Sequence, residues 1–248
     1  GEVVAYVARS GDPVTGPILL SFDYVRDDLG RITKKTEAVL GEVSYETRET
    51  TYVYDGAGRL VDVYMDGTTA AEHVAHYVYD DNGNRLAAES PNLTMAEAMG
   101  AYDEQDRLVA YGGIEYEHTA NGQRSKKTDP VSGDATLYQY HALGSLRSVT
   151  LPDATVIDYV VDGEGRRIGK KIDGVLVQGW VYADALRIAA QLDGSGNVVA
   201  RYVYGTRVNV PEAMITASGT YRILSDHLGS PRLVVDAATG VVVGQMDY

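Results

Sequence analysis

The side chains best equipped for chemistry in this chain are its carboxylates, 35 Asp and Glu among 248 residues, beside 22 Lys and Arg and five His. Two carboxylates across a cleft would suit glycoside hydrolysis, one as acid and one as base or nucleophile. The aspartates recur, however, in one local setting, Asp-x-x-Gly, as at Asp27 to Gly30, Asp55 to Gly58 and Asp162 to Gly165. There the carboxylate caps backbone N–H groups at the first position of a type I turn, and glycine accepts the positive φ that closes it. Capping accounts for these acids, and catalysis would need an asymmetry that copies do not offer. Asp80-Asp81-Asn82-Gly83-Asn84 and Asp193-Gly194-Ser195-Gly196-Asn197 open like calcium loops, which require Gly at position 6 and Glu at position 12. Those positions hold Arg85 and Pro91 in one case and Val198 and Tyr204 in the other, so both read as turns.

Histidines offer little more. His73 and His76 are three apart within a segment that reads as a strand, Val74 to Tyr79, which places them on opposite faces and removes a shared metal. His118 and His141 stand where other copies of the repeat below carry Tyr or Asp, and with His227 they are assigned structural or surface roles. No Gly-x-Ser-x-Gly elbow occurs. Zero cysteines exclude disulfides, thiol catalysis and Cys-ligated zinc, and leave the compartment open. No catalytic residue, metal or cofactor is expected. Lysine pairs at Lys34-Lys35, Lys126-Lys127 and Lys170-Lys171 divide between two strand faces, and a net charge of −13 opposes polyanions, so nucleic acid is disfavoured. Solvated charges that discourage edge pairing are the expected use of these lysines.

The elements that carry these residues are hairpins. Glycines after an Asp-like turn stand at Gly30, Gly58, Gly83, Gly122, Gly144, Gly165, Gly196 and Gly229. Six of the eight have Tyr six residues earlier: Tyr24, Tyr52, Tyr77, Tyr116, Tyr138 and Tyr159. At 19 Tyr in 248 residues chance gives fewer than one such match, so the register is a repeat. Tyr54, Tyr79 and Tyr140 recur four before the anchor, and Asp27, Asp55, Asp80, Asp162, Asp193 and Asp226 three before it. Arg and an aliphatic residue follow, as at Arg31-Ile32, Arg59-Leu60, Arg85-Leu86 and Arg167-Ile168. A ninth copy, Tyr102-Asp103 to Arg107-Leu108, lacks the glycine. Tyrosines two apart share one strand face, and Arg-Leu lies on the returning strand, so each copy is a complete hairpin corner. Segments Val175 to Tyr182 and Gly196 to Tyr204 also read as strands. One short helix, Leu93 to Met99, is expected, with loops at Asp12-Pro13 and Pro130 to Gly133.

The length is that of one to two average domains, and all-β chains often use it as one. One domain is expected: residues 1–23 as an N-terminal strand and loop, 24–172 as repeats, and 173–248 as a distinct C-terminal segment. Nineteen Tyr stand against one Phe and one Trp, so no conventional aromatic core is available. Apolar runs fall far short of the roughly 20 residues that cross a bilayer. The N-terminal stretch has no basic and apolar pattern of a signal peptide, so export would be directed from elsewhere or the chain is an excised segment.

Tyr-x-Tyr-Asp-x-x-Gly-Arg-Leu in nine ordered variants resembles the YD repeat of RHS proteins. Gln191 to Gly205 and Ser225-Asp226-His227-Leu228-Gly229-Ser230-Pro231-Arg232-Leu233-Val234 are similar to the stretch leading into the RHS-associated core of bacterial proteins. The resemblance covers residues 24 to 248. It implies an all-β fold, a long antiparallel strip of hairpins curving into part of a hollow shell. In bacterial polymorphic toxins and the C component of insecticidal Tc toxins, such shells hold a C-terminal effector released by aspartyl-type self-cleavage; teneurins share the repeat. This sequence stops at Met246-Asp247-Tyr248, before the hallmark of that core, so no self-processing residue is carried over.

These readings imply a structural, non-catalytic wall segment of a secreted or cell-surface protein, working by containment. Its partners would be the rest of its own polypeptide, including an effector, and further copies through open strand edges. The motif tyrosines would be partly buried, with hydroxyls hydrogen-bonded or wet. The alternative is a glycan-binding or adhesive module using Tyr-rich β surface, and a further one is a glycosidase or lyase.

Overall fold

The computed structural model describes residues 5–9, 16–40, 45–69, 72–90 and 99–247. These residues form strands joined by turns, with no helix among them. The expected helix at Leu93 to Met99 lies outside the described residues except for Met99, which is exposed, and the loop at Asp12-Pro13 lies outside them too.

The first seven strands are β1 (Ala5–Arg9), β2 (Ile18–Arg26), β3 (Ile32–Leu40), β4 (Tyr45–Tyr54), β5 (Leu60–Met65), β6 (His73–Tyr79) and β7 (Arg85–Glu89). They pair in chain order as one sheet. A second sheet holds β8 (Gly100–Tyr102), β9 (Leu108–Tyr111), β10 (Ile114–His118), β11 (Arg124–Thr128), β12 (Ala135–Tyr140), β13 (Leu146–Thr150), β14 (Val156–Val161) and β15 (Arg167–Ile172). It continues through β16 (Val175–Tyr182), β17 (Ile188–Asp193), β18 (Val198–Tyr204), β19 (Pro211–Thr216), β20 (Gly219–Ser225), β21 (Pro231–Asp236) and β22 (Val242–Gln245), again in chain order. The protein is thus all-β, built of consecutive antiparallel hairpins, each strand pairing with its sequence neighbour as short connections favour.

The register repeats an irregularity. On the strand entering each of eight corners the pairing shifts by one residue: at Val25/Arg26, Val53/Tyr54, Val78/Tyr79, Glu117/His118, Gln139/Tyr140, Val160/Val161, Val181/Tyr182 and Val203/Tyr204. The returning strand carries the extra residue. Val53 faces Asp62 and Tyr54 faces Leu60, which leaves Val61 unpaired. A β-bulge of this kind bends its strand and sharpens the local twist.

Residue contacts divide the chain into two compact units. One comprises Gly1–Asp106, Leu224–Val234 and Gly240–Tyr248. Its core alternates along β2, where Leu20, Phe22 and Tyr24 are buried and Asp23 and Val25 are exposed, the period of a half-buried strand. Leu20, Phe22 and Leu233 are the largest fully buried side chains. The single Phe therefore sits in a small conventional core, stacked between Tyr6 and Tyr24. The other unit comprises Arg107–Ile223 and Val235–Thr239. Its buried apolar side chains are small or branched, among them Val149, Ala190 and Ala200, and most of its strand residues are half-buried.

Candidate functional site

The corners are the chemistry the chain repeats. At Asp55 one carboxylate holds three donors: Oδ1 accepts from the N–H groups of Ala57 and Arg59, each at 2.9 Å, and Oδ2 accepts from Arg59 Nε at 2.7 Å. Gly58 closes the turn by donating to the Asp55 carbonyl at 3.0 Å, with φ at 84°. Asp27 makes the same set with Leu29 and Arg31 around Gly30, and Asp162 with Glu164 and Arg166 around Gly165. At Asp80 and Asp193 an asparagine substitutes for the arginine, Asn84 Nδ2 and Asn197 Nδ2 reaching the carboxylate at 2.9 and 3.1 Å around Gly83 and Gly196. That amide accounts for the Asn in both calcium-like sequences. Asp226 accepts from the Leu228 and Ser230 N–H groups around Gly229. Thr119 and His141 occupy the Asp position ahead of Gly122 and Gly144, whose N–H groups close those turns. In the copy without glycine, Gln105 N–H caps on Asp103 and Asp106 itself adopts φ 56°, a conformation that Asp tolerates better than most residues.

Hydrogen bonding to the charged form holds the Asp55, Asp80 and Asp193 carboxyls below the usual range. The Arg59 backbone N–H and side chain do this for Asp55. Asp184, capped by the Arg187 and Leu186 N–H groups and then by the Arg187 side chain, is held down to about 2.

Arginine works from two positions. One residue past the glycine, Arg31, Arg59 and Arg166 bind the turn carboxylate and lie over a tyrosine of the following strand pair: Tyr54 at 4.6 Å, Tyr79 at 5.0 Å and Tyr182 at 5.2 Å. Two residues past it, Arg85, Arg124 and Arg167 lie over a tyrosine of their own hairpin: Tyr77 at 5.7 Å, Tyr116 at 4.8 Å and Tyr159 at 3.7 Å. Arg124 also reaches the Tyr138 ring at 5.9 Å. Tyr140 stands on β12 opposite Leu146, and Arg107 directly precedes β9. Tyrosines that end the strands entering the corners send their hydroxyls back to the preceding hairpin: Tyr54 donates to the Ile32 carbonyl and Tyr79 to the Leu60 carbonyl, both at 2.8 Å. Tyr102, Tyr182 and Tyr204 do the same to Arg85, Arg167 and Ile188. Tyr52 lies deeper, and burial pushes its hydroxyl pKa up.

One corner escapes the motif. Asp184 and Arg187 close a turn after Tyr182 with no glycine, the side chains 2.6 Å apart; Tyr two residues before an Asp-x-x-Arg was the available signal. Arg166 rather than Arg167 is the partner of Asp162. Lys35 is not a solvated edge charge: its side chain lies 3.1 Å from the buried Glu37 and is only 20% exposed.

Within the first unit, residues far apart in sequence meet. His227 Nδ1 and Tyr24 OH are 2.8 Å apart, and burial pushes the Tyr24 hydroxyl up to about 12. Arg232, buried, forms an ion pair with the buried Glu37, donates from Nε to the Met246 carbonyl at 2.8 Å, reaches Asp247 at 2.8 Å and lies over the Phe22 ring. A cleft of about 210 Å³ beside this pair is lined by Glu37, Glu46, Arg48, Asp66 and Asp247. No motif copy marks Glu37.

The histidine pair corrects an expectation. His73 and His76 share a face, because β6 bulges: Asp62 faces His76 and Tyr64 faces His73, which leaves Val74 as the extra residue. A strict alternation would have separated them. Both rings meet Asp62 Oδ1, His73 Nε2 at 2.9 Å and His76 Nδ1 at 2.7 Å.

Hairpins pairing in chain order, with one Asp, Arg and Tyr arrangement at their corners, define a YD-repeat or RHS shell protein. The chain belongs to the teneurin YD-shell family, which it matches over residues 16–248. It is similar to teneurin-4 of Mus musculus, 26% identical over 226 residues, covering 90% of this chain and 8% of that protein. It is also similar to the tRNA nuclease WapA of Bacillus subtilis (strain 168), 27% identical over 156 residues, 61% of this chain and 6% of that one. The chain thus spans less than a tenth of the length of these curated relatives. In fold it resembles a chain of the Photorhabdus luminescens Tc holotoxin pore, with a TM-score of 0.50 at 13% identity over all of this chain and 13% of that one.

Proposed function

We propose that this chain is a wall segment that encloses or presents an effector carried by the same polypeptide, in a secreted or cell-surface protein, and that it has no catalysis of its own. The observation that carries this reading is the uniformity of the corners. The motif aspartates of seven corners cap turn N–H groups, and in five of them hold an Arg or Asn side chain as well, so the repeat offers no asymmetric acid pair. The relative named a tRNA nuclease supports the effector reading, because in it a segment of this kind accompanies an enzymatic activity. Tyrosines spread over successive corners, their hydroxyls engaged by backbone carbonyls, support a wall over a sugar-binding groove.

Limited proteolysis of the longer polypeptide carrying this segment tests the proposal. The effector region is expected to resist protease while the corners are intact and to become sensitive when Asp55 and Asp162 are both replaced by Ala. Equal sensitivity in the two proteins would sink the containment reading, and a specific hit on a glycan array would favour the adhesive one.

A further inference from the structure

Asp62, His73 and His76 belong to no corner. In the corners a carboxylate is occupied by turn N–H groups and a guanidinium or amide, whereas Asp62 directs one oxygen at two imidazoles. The three potential ligand atoms lie within 4.8 Å of one another. Ligands on a tetrahedron around an ion with bonds of about 2.0–2.2 Å stand roughly 3.3–3.6 Å apart, so the cluster needs little adjustment to surround one cation. The side chains are 23% to 31% exposed, which gives an ion entry and leaves a position for water. The His73 ring is also held by Tyr64, their centroids 4.9 Å apart. The bulge at Val74 is what brings the two rings to one face, and bulges commonly serve to re-aim a side chain.

We propose that Asp62, His73 and His76 bind one divalent transition-metal ion of the zinc class, with two imidazole nitrogens and one carboxylate oxygen as ligands and water completing a tetrahedron. This donor set suits zinc and its imidazole-seeking neighbours; calcium and magnesium require shells of oxygen. Binding exchanges the two hydrogen bonds to Asp62 for metal bonds, with His73 coordinating through Nε2 and His76 through Nδ1, so each ring carries its proton on its other nitrogen. The ion would tie β5 to β6 across the 66–72 connection, a cross-link in a chain that has no cysteine.

The test is a titration of the untagged, chelator-stripped chain with Zn²⁺ alone, followed by calorimetry and by NMR of the histidine rings. The expected result is one ion per chain, with the ring signals of His73 and His76 shifting while those of His118, His141 and His227 stay in place. His76→Ala and Asp62→Asn should each weaken binding at least about tenfold, the low end of what losing even an outer-sphere partner does; His118→Ala should leave it unchanged. Mg²⁺ should produce no ring shift. Absent shifts, shifts confined to the other three histidines, or variants that bind as tightly as the parent would each overturn the site. The ring signals of the unmodified chain decide the matter even if a variant fails to fold.

Discussion

A hydroxyl is the difference between Tyr54 and the phenylalanine this chain almost never uses. Its ring lies under Arg31 and its oxygen donates to the Ile32 carbonyl of the preceding hairpin, so one side chain both covers area and ties two strand pairs. Tyr54→Phe should keep the stack and lose the tie, at a cost of about 1 kcal/mol in a urea unfolding experiment. No change would mean that water replaces the bond without loss. The corner carboxylates make a second claim at this scale. Asp55 and Asp184 have folded pKa values below their ordinary 3.8, about 2 for Asp184. Between the folded and unfolded values the unfolded chain binds more protons, so the stability they confer is complete above about pH 4 and is lost as pH falls through the folded values. The urea midpoint should therefore fall steeply below about pH 4, and Asp184→Asn should make that fall shallower. An acid limb of the same slope in the variant would remove Asp184 from the account.

Among elements, the hairpin corner was the most legible feature of the sequence, because Asp-x-x-Gly acts within four residues and needs no tertiary partner. The bulges were not legible. They obey the position relative to the turn rather than residue type, since the unpaired residue is Val61 in one copy and Leu86 in another. For the same reason the pair His73 and His76 is misread by strict alternation: Val74 differs in no visible way from an ordinary strand valine. Arg166 and Arg167 are adjacent and identical, and only the bulged register decides which meets Asp162 and which lies over Tyr159. Among the described residues β1 and β22 each have a single neighbour in their sheets, whereas the other end strands, β7 and β8, meet through the Tyr102 hydroxyl and the Arg85 carbonyl. Open edges of this kind pair with other chains. Light scattering of the isolated chain should show a mass that rises with concentration, and a constant monomer mass at high concentration would contradict edge pairing.

At the scale of the molecule, the fold depends on a contact that no local pattern announces. Glu37 and Arg232 are 195 residues apart, and Glu37 belongs to no copy of the corner motif. Arg232→Ala would remove the buried guanidinium from Glu37, leaving it the ion pair with Lys35 and its cross-strand neighbour Arg48, and losing one member of a buried pair costs about 3–5 kcal/mol. The double variant Glu37→Leu with Arg232→Met should recover much of that loss, because it leaves no buried charge. If the double variant is as weak as the single one, the pair serves more than charge balance, and the Met246 and Asp247 contacts of Arg232 become the first suspects.

The same pair sets an order of events. Each hairpin joins neighbours in the chain and can form as soon as its own strands exist, whereas contacts of long sequence separation form late. Tyr24 has to wait for His227, 203 residues downstream, and Glu37 for Arg232. A chain emerging from a ribosome would therefore zip its hairpins from the N-terminal end, with the Phe22 cluster held unfinished until the Asp226 turn arrives to cover it. Synthesis that stalls before residue 227 would leave Phe22 and Tyr24 without His227 and Arg232, an unfinished surface that quality-control proteases can recognise.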